Sequence, residues 1–158
     1  MTRRVRAVVV TVQNVAGGAA APAPAEIRKW ARAALTADVR GELTVRIVAE
    51  HESAELNARY RGKAGPTNVL SFRAESPPLA AGDELLPYGD VVICAEVVAR
   101  EAREQGKRPA AHWAHMVVHG ALHLQGYDHE NSRDARSMEA RERALLNELG
   151  FPDPYSVK

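Results

Sequence analysis

One cysteine, Cys94, stands in a chain of 158 residues. No disulfide framework can form, and a reducing compartment, the cytoplasm, is the expected location. Within GDVVICAEVV that thiol reads as a small buried hydrophobe, not a reactive group. A surplus of charge is missing as well: 21 Lys and Arg stand against 20 Asp and Glu, a net +1. Bulk charge therefore advertises no sequence-independent grip on nucleic acid, and any site for a polyanion has to be a local cluster. No apolar run approaches membrane-spanning length. The run in MTRRVRAVVVTVQ is too short for a span, lacks a cleavage site and is expected to be a first strand.

What is present is ordinary for one globular domain, here expected to span residues 1–158: 46% apolar and 26% charged residues. VRAVVVTV (5–12) is rich in β-branched residues and fits a strand. The Gly/Ala/Pro stretch at 14–25 reads as a mobile surface connection. From about Pro24 a helix places Ile27, Trp30, Ala31, Ala34 and Leu35 on one face. Leu43, Val45 and Ile47 alternate with polar partners in a second strand at 41–49, and a short helix follows at roughly 51–60. RGKAGPTN breaks regular structure before the strand VLSF (69–72). A proline-rich loop at 74–89 leads into the strand GDVVIC, then a helix that Gly106 ends. Pro109 suits the first turn of the next helix, which runs to about Leu124. Asp134 to Leu149 has helical spacing through Met138, Ala144, Leu145 and Leu149. Four strands and about five helices, not strictly alternating, predict an α+β fold: a small mixed four-stranded sheet with a metal-binding helix in the core.

That helix carries the histidines. Five of the six lie between residues 112 and 129, and at about 100° per residue His112, His115, His119 and His123 share one stripe. His119 and His123, one turn apart, can reach the same ion. Gly126 falls where the helical pattern ends, a place for a left-handed turn that would swing His129 back as third ligand. Three imidazoles leave a fourth position open to water or substrate, which suits a catalytic zinc, one Zn2+ per chain, although nickel or copper would tolerate the same shell. His112 and His115 lie too far along the axis for all five to share one ion. His115 is expected either to orient a ligand, to touch substrate or to pack.

One residue is conspicuously absent from HGALHLQGYDH (119–129). It matches H-E-x-x-H-x-x-G-x-x-H at all three histidines and the glycine, but has Gly120 in place of the glutamate. Amide hydrolysis needs that carboxylate to move a proton to the leaving nitrogen. Phosphodiester cleavage asks instead for charge neutralisation at the non-bridging oxygens. Arg59, Arg61, Lys63 and Arg73 around the PTN turn offer such charge, and a guanidinium can contact two phosphate oxygens at once. Asn68 is expected to brace the turn. Asp90 reads as a turn residue or as a partner of a ligand histidine, Asp128 as a turn or proton-carrying residue, and Tyr127 as buried or base-stacking.

With these segments in hand the chain resembles the YbeY-like endoribonucleases, the rRNA maturation factors. HGALHLQGYDH is similar to the family signature, LNARYRGKAGPTNVLSF (56–72) to its second motif and YGDVVICAEVV (88–98) to its third. The resemblance implies zinc bound by His119, His123 and His129, and a functional role for Arg61. It also implies a single-strand-directed endoribonuclease for small-subunit rRNA processing and ribosome quality control. His119 and Arg61 are then the catalytic pair, with Arg59, Lys63 and Arg73 as further RNA contacts. A ribosomal protein or ribosome-assembly GTPase is an admissible partner, since the modest charge leaves specificity to a protein. The rival readings are a metallopeptidase-like hydrolase with an unusual base, and a non-catalytic ribosome assembly factor whose metal only braces the fold.

Overall fold

Period-two alternation builds the sheet, and helical stripes cover it. The computed structural model describes residues 8–18, 20–75, 85–128 and 130–156. Among these the chain runs β1 (Val9–Asn14), α1 (Pro24–Ala34), β2 (Glu42–Val48), α2 (Glu50–Arg61), β3 (Val69–Arg73), β4 (Pro87–Cys94), α3 (Ala95–Gln105), α4 (Pro109–Leu124) and α5 (Ser132–Glu148). The sheet has the order β1-β2-β4-β3. β1 and β4 both pair with β2 in parallel, while β3 pairs with β4 antiparallel and forms an edge. Five helices on a four-stranded mixed sheet give the α+β fold that the sequence predicts.

Alternate residues of the two central strands serve opposite faces. Leu43, Val45 and Ile47 of β2 and Val91 and Ile93 of β4 meet Ile27, Trp30 and Ala31 of α1, the apolar side of α4, and Met138, Leu145 and Leu146 of α5. Val92 and Cys94 turn the other way, into a smaller cluster with Val48, Leu70 and Val97. Cys94 is buried there as expected, and burial pushes its thiol pKa up. Three details depart from the sequence pattern. On α5 the buried face is Met138, Glu142, Leu145 and Leu146, while Ala144 is exposed. Ala16, placed in a surface connection, is buried in the main core. β4 begins at Pro87, two residues before the predicted start. Residues 1–7 and 76–84, the first part of the expected N-terminal strand and most of the proline-rich loop, lie outside the described residues.

α4 is the central helix. Eleven of its sixteen residues are buried, so it is covered on nearly every side, as a helix between layers must be. Its seat on the sheet depends on Gly120. A Cβ at that position would stand 2.5 Å from Val91 Cγ1 and 3.2 Å from Val69 Cγ2, so the helix backbone rests directly on β4 and β3. Ser71 Oγ donates to the Gly120 carbonyl at 3.0 Å across the same contact.

The C-terminal end of α4 is tied to three other segments. The Leu124 carbonyl accepts from Arg73 Nη1 at 2.6 Å and from the Tyr88 hydroxyl at 3.3 Å, and the guanidinium lies 4.6 Å above the Tyr88 ring. The Gln125 amide donates to the carbonyls of Ala34 (2.7 Å) and Ala121 (3.0 Å) and accepts from the Thr36 N–H at 3.1 Å. Gln125 thus joins the ends of α1 and α4. Gln125→Ala is expected to cost about 2 kcal/mol, because it strands partly buried backbone groups. A thermal scan should show a midpoint lowered by roughly 4–8 °C; an unchanged midpoint would mean that the clasp contributes nothing.

Candidate metal centre and cleft

The four histidines of α4 follow one another along a single stripe, as their spacing predicts. Ring centroids lie 6.2 Å apart for His112–His115, 6.1 Å for His115–His119 and 4.8 Å for His119–His123. Burial changes along the stripe. His112 and His115 are enclosed, whereas His119 and His123 are half-buried and line a cleft of about 580 Å³ together with Arg61, Asn68, Asp128 and Glu130. His129 lies outside the described residues. The turn leading to it is described: Gly126 takes φ 97°, a left-handed value that glycine adopts at little cost. Asp128 and Glu130, on either side of position 129, both line the cleft.

Behind His119 sits a carboxylate. Glu142, 0% exposed on α5, places Oε2 2.5 Å from His115 Nε2 and 3.3 Å from His119 Nδ1, and Oε1 accepts from the Tyr155 hydroxyl at 2.9 Å. Burial alone would raise this carboxyl; the hydrogen bonds from His115 and His119 and their electrostatic attraction outweigh that and hold its pKa at about 2. With Nδ1–H given to Glu142, His119 has Nε2 left as its lone-pair nitrogen, the carboxylate–histidine arrangement that orients metal ligands.

The donor atoms of His115, His119 and Glu142 all lie within 4.8 Å of one another, close enough to share an ion. The chemistry of this set favours a division of labour instead. The Glu142 oxygens already receive three side-chain donors, so an ion among them would have to displace buried protons. His119 and His123 line the open cleft, where neutral imidazole could serve as a metal ligand. His115, expected to orient a ligand, to touch substrate or to pack, is 7% exposed and grips the carboxylate that holds His119. Glu142→Gln puts an amide N–H against imidazole N–H groups, and metal affinity measured by competition with a chelator is expected to fall 10- to 100-fold, about the usual effect of an orienting partner. Unchanged affinity would remove Glu142 from the centre.

Arg61 reaches the cleft from the last turn of α2, which Gly62 ends. Among the described residues it takes part in no ion pair. The loop that follows is stitched to the same helix: Ser53 Oγ donates to the Thr67 carbonyl and accepts from its N–H, both at 3.0 Å, and Asn57 Nδ2 donates to the Gly65 carbonyl at 2.9 Å. The Asn68 side chain accepts from the Val69 N–H at 2.6 Å and donates to Glu101 at 3.0 Å. Glu101 in turn meets His112 Nε2 at 2.9 Å. Burial keeps the His112 imidazole below its usual pKa against the pull of Glu101.

The expected cationic cluster is not one patch. Arg61 lines the histidine cleft, and Arg59 and Lys63 are exposed without lining it. Arg73, the last residue of β3, turns its side chain onto the end of α4, where it holds the Leu124 carbonyl, and it also borders a second groove. Asp90 is neither a turn residue nor a histidine partner: it lies within β4, paired in register with Thr44, and borders that same far groove. Tyr127 packs against the main core. Glu142, Tyr155 and Tyr60 were missed. For Glu142 a signal existed, a carboxylate four residues after Met138 and three before Leu145, on the apolar stripe of α5. For Tyr155 and Tyr60 the sequence offers none.

Imidazoles on a buried helix, a carboxylate behind them and an arginine across an open cleft make up an α+β protein with a site that could hold a metal ion. The family model described as Endoribonuclease YbeY matches residues 19–150. The endoribonuclease YbeY of Halorhodospira halophila is 57% identical over 147 residues, covering 92% of this chain and 95% of that protein. That of Methylococcus capsulatus is 56% identical over 146 residues, covering 92% and 94%. The solution structure of TM1509 from Thermotoga maritima has a TM-score of 0.56 at 24% identity, covering 94% of this chain and 100% of that one, a likeness of fold. The chain belongs to the endoribonuclease YbeY family.

Proposed function

We propose that this chain, acting as one domain over residues 1–158, is a zinc-dependent endoribonuclease. Its substrate is single-stranded RNA, in particular small-subunit rRNA during cytoplasmic maturation and quality control. One observation carries the reading: His119 and His123 of α4 and Arg61 of α2, far apart in the chain, line a single cleft in a family whose relatives are named endoribonucleases. His119, His123 and His129 would hold the ion, and zinc in such a set supplies Lewis acidity toward a phosphate oxygen or a water molecule. Arg61 grips the scissile phosphate through two N–H groups and offsets charge as it builds on the non-bridging oxygens. Asp128, on the cleft wall, is placed to carry a proton. Arg59 and Lys63 flank the entrance as weaker phosphate contacts. A ribosomal protein or ribosome-assembly GTPase would supply the choice of cleavage position.

The metallopeptidase alternative loses its footing at position 120, where a side chain would be driven against Val91 and Val69 of the sheet. Purified wild type, His123→Ala and Arg61→Glu, each offered a labelled single-stranded RNA, test the proposal. His123→Ala should lose metal and cleavage together. Arg61→Glu should keep its metal and lose about 100-fold or more in rate, the scale of a deleted transition-state donor. Full activity of metal-free protein, or of both variants, refutes it.

A further inference from the structure

An aromatic side chain left in water asks for a reason. Tyr60 is 59% exposed, while every other tryptophan, tyrosine and phenylalanine of the chain is buried or half-buried. It does not hang loose. Its ring meets Phe72 of β3 edge-on, with centroids 5.0 Å apart and planes at 62°, and Phe72 packs on the smaller core cluster. The pair forms a sill: both residues line the histidine cleft on one side and a groove of about 540 Å³ over the far face of the sheet on the other.

The two sides differ in charge. In the cleft, Arg61 adjoins Tyr60 and has no share in the ion pairs among the described residues. Across the sill, Arg46 is held by Glu52 at 2.7 Å, Arg73 gives a guanidinium N–H to the Leu124 carbonyl at 2.6 Å, and Asp90 borders the same groove, so both cations there are already engaged. A nucleotide has a flat π face at one end and a doubly bonding anion at the other. The last turn of α2 presents an exposed ring and a guanidinium in adjacent positions.

Resting on the reading of the chain as an RNA-cleaving enzyme, we infer that Tyr60 is a stacking platform for a nucleobase of single-stranded RNA, with Phe72 bracing it and Arg61 taking the adjoining phosphate. Base–aromatic stacking contributes about 1–3 kcal/mol per base and tolerates any base, since each has a π face. It also discriminates against duplex. Bases inside an A-form helix have both faces covered, and recognition by stacking requires them to be splayed out. Tyr60 is therefore a substrate-binding residue that selects single strands. The edge contact with Phe72 orients the ring in advance, which lowers the ordering cost of binding.

The test titrates full-length wild type, Tyr60→Phe, Tyr60→Leu and Tyr60→Ala with a labelled 2′-O-methyl oligonucleotide, single-stranded and annealed to its complement. KM and kcat on cleavable RNA are measured alongside. Tyr60→Phe should match wild type. Tyr60→Ala and Tyr60→Leu should weaken single-strand binding roughly 5- to 150-fold, the span of one stacked base. They should raise KM more than they lower kcat, and leave duplex binding and the thermal midpoint unmoved. Tyr60→Trp should report the stack directly, its emission quenched by the single strand and not by the duplex. Wild-type affinity in Tyr60→Ala, or no quenching of the tryptophan, overturns the inference while leaving the nuclease reading intact. Wild type that neither binds nor cuts RNA overturns both.

Discussion

Alanine at His119 is expected to remove the divalent metal and RNA cleavage in one step. Among the described residues His119 joins the open cleft to the buried Glu142 network: it lines the former with His123 and Arg61 and touches Glu142 Oε2 at 3.3 Å in the latter. Its loss leaves two imidazoles at most, too few for a tightly held zinc. The fall in metal affinity should exceed the 10- to 100-fold that removal of an orienting partner produces, and cleavage should drop to the assay background. Glu142 keeps its contacts with His115 and Tyr155. The variant should therefore stay folded, its stability lower by about 1–2 kcal/mol for one lost charge-assisted hydrogen bond. Metal content by mass spectrometry and single-turnover cleavage read the two losses. A variant that keeps zinc would move the centre to other donors, and one that loses zinc but still cuts would make the metal a brace, as in a non-catalytic assembly factor.

Substitution of Gly120 should have the largest effect on stability. Alanine would improve helix propensity by up to about 1 kcal/mol, yet its Cβ arrives 2.5 Å from a methyl of Val91, a β-branched residue fixed in the central strand β4. Neither backbone can retreat without opening the main core. A net loss of about 2 kcal/mol is expected for Gly120→Ala, within the range for overpacked cores. Gly120→Glu, the change that would restore the peptidase pattern, should yield no folded protein, since it drives a carboxylate into the sheet. The pair Gly120→Ala and Val91→Ala provides the control. If the clash is the cause, the double variant should recover about 1–2 kcal/mol relative to the sum of the single changes, measured by denaturant unfolding. Strict additivity would show that the helix is not seated on Val91.

Much of this architecture is written in local pattern. The alternation of Leu43, Val45 and Ile47 announces β2, Pro109 and Gly106 bracket the turn into α4, and four histidines at spacings of three and four announce a stripe that the helix then displays. These features need only the period of one element and the preferences of single residues. The absence of glutamate at 120 is equally plain to a reader of the chain, but its cause is not. It lies in the distance between α4 and β4, which no local pattern encodes.

Contacts between elements escaped for the same reason. Glu142 looks like one more carboxylate in EARERALLNE, and only the docking of α5 against α4 presents it to His115 and His119. Arg73 counts as a cation near the PTN turn until the edge position of β3 carries it away to Leu124 and Tyr88. Tyr60 and Arg61 are neighbours in any reading, yet which of them borders the histidines depends on how α2 leaves the sheet. Composition and periodicity determined which elements form and which helix bears the imidazoles, because those follow from interactions a few residues long. The carboxylate behind His119, the glycine seat and the aromatic sill were decided by packing across tens of residues, where geometry alone selects the partners.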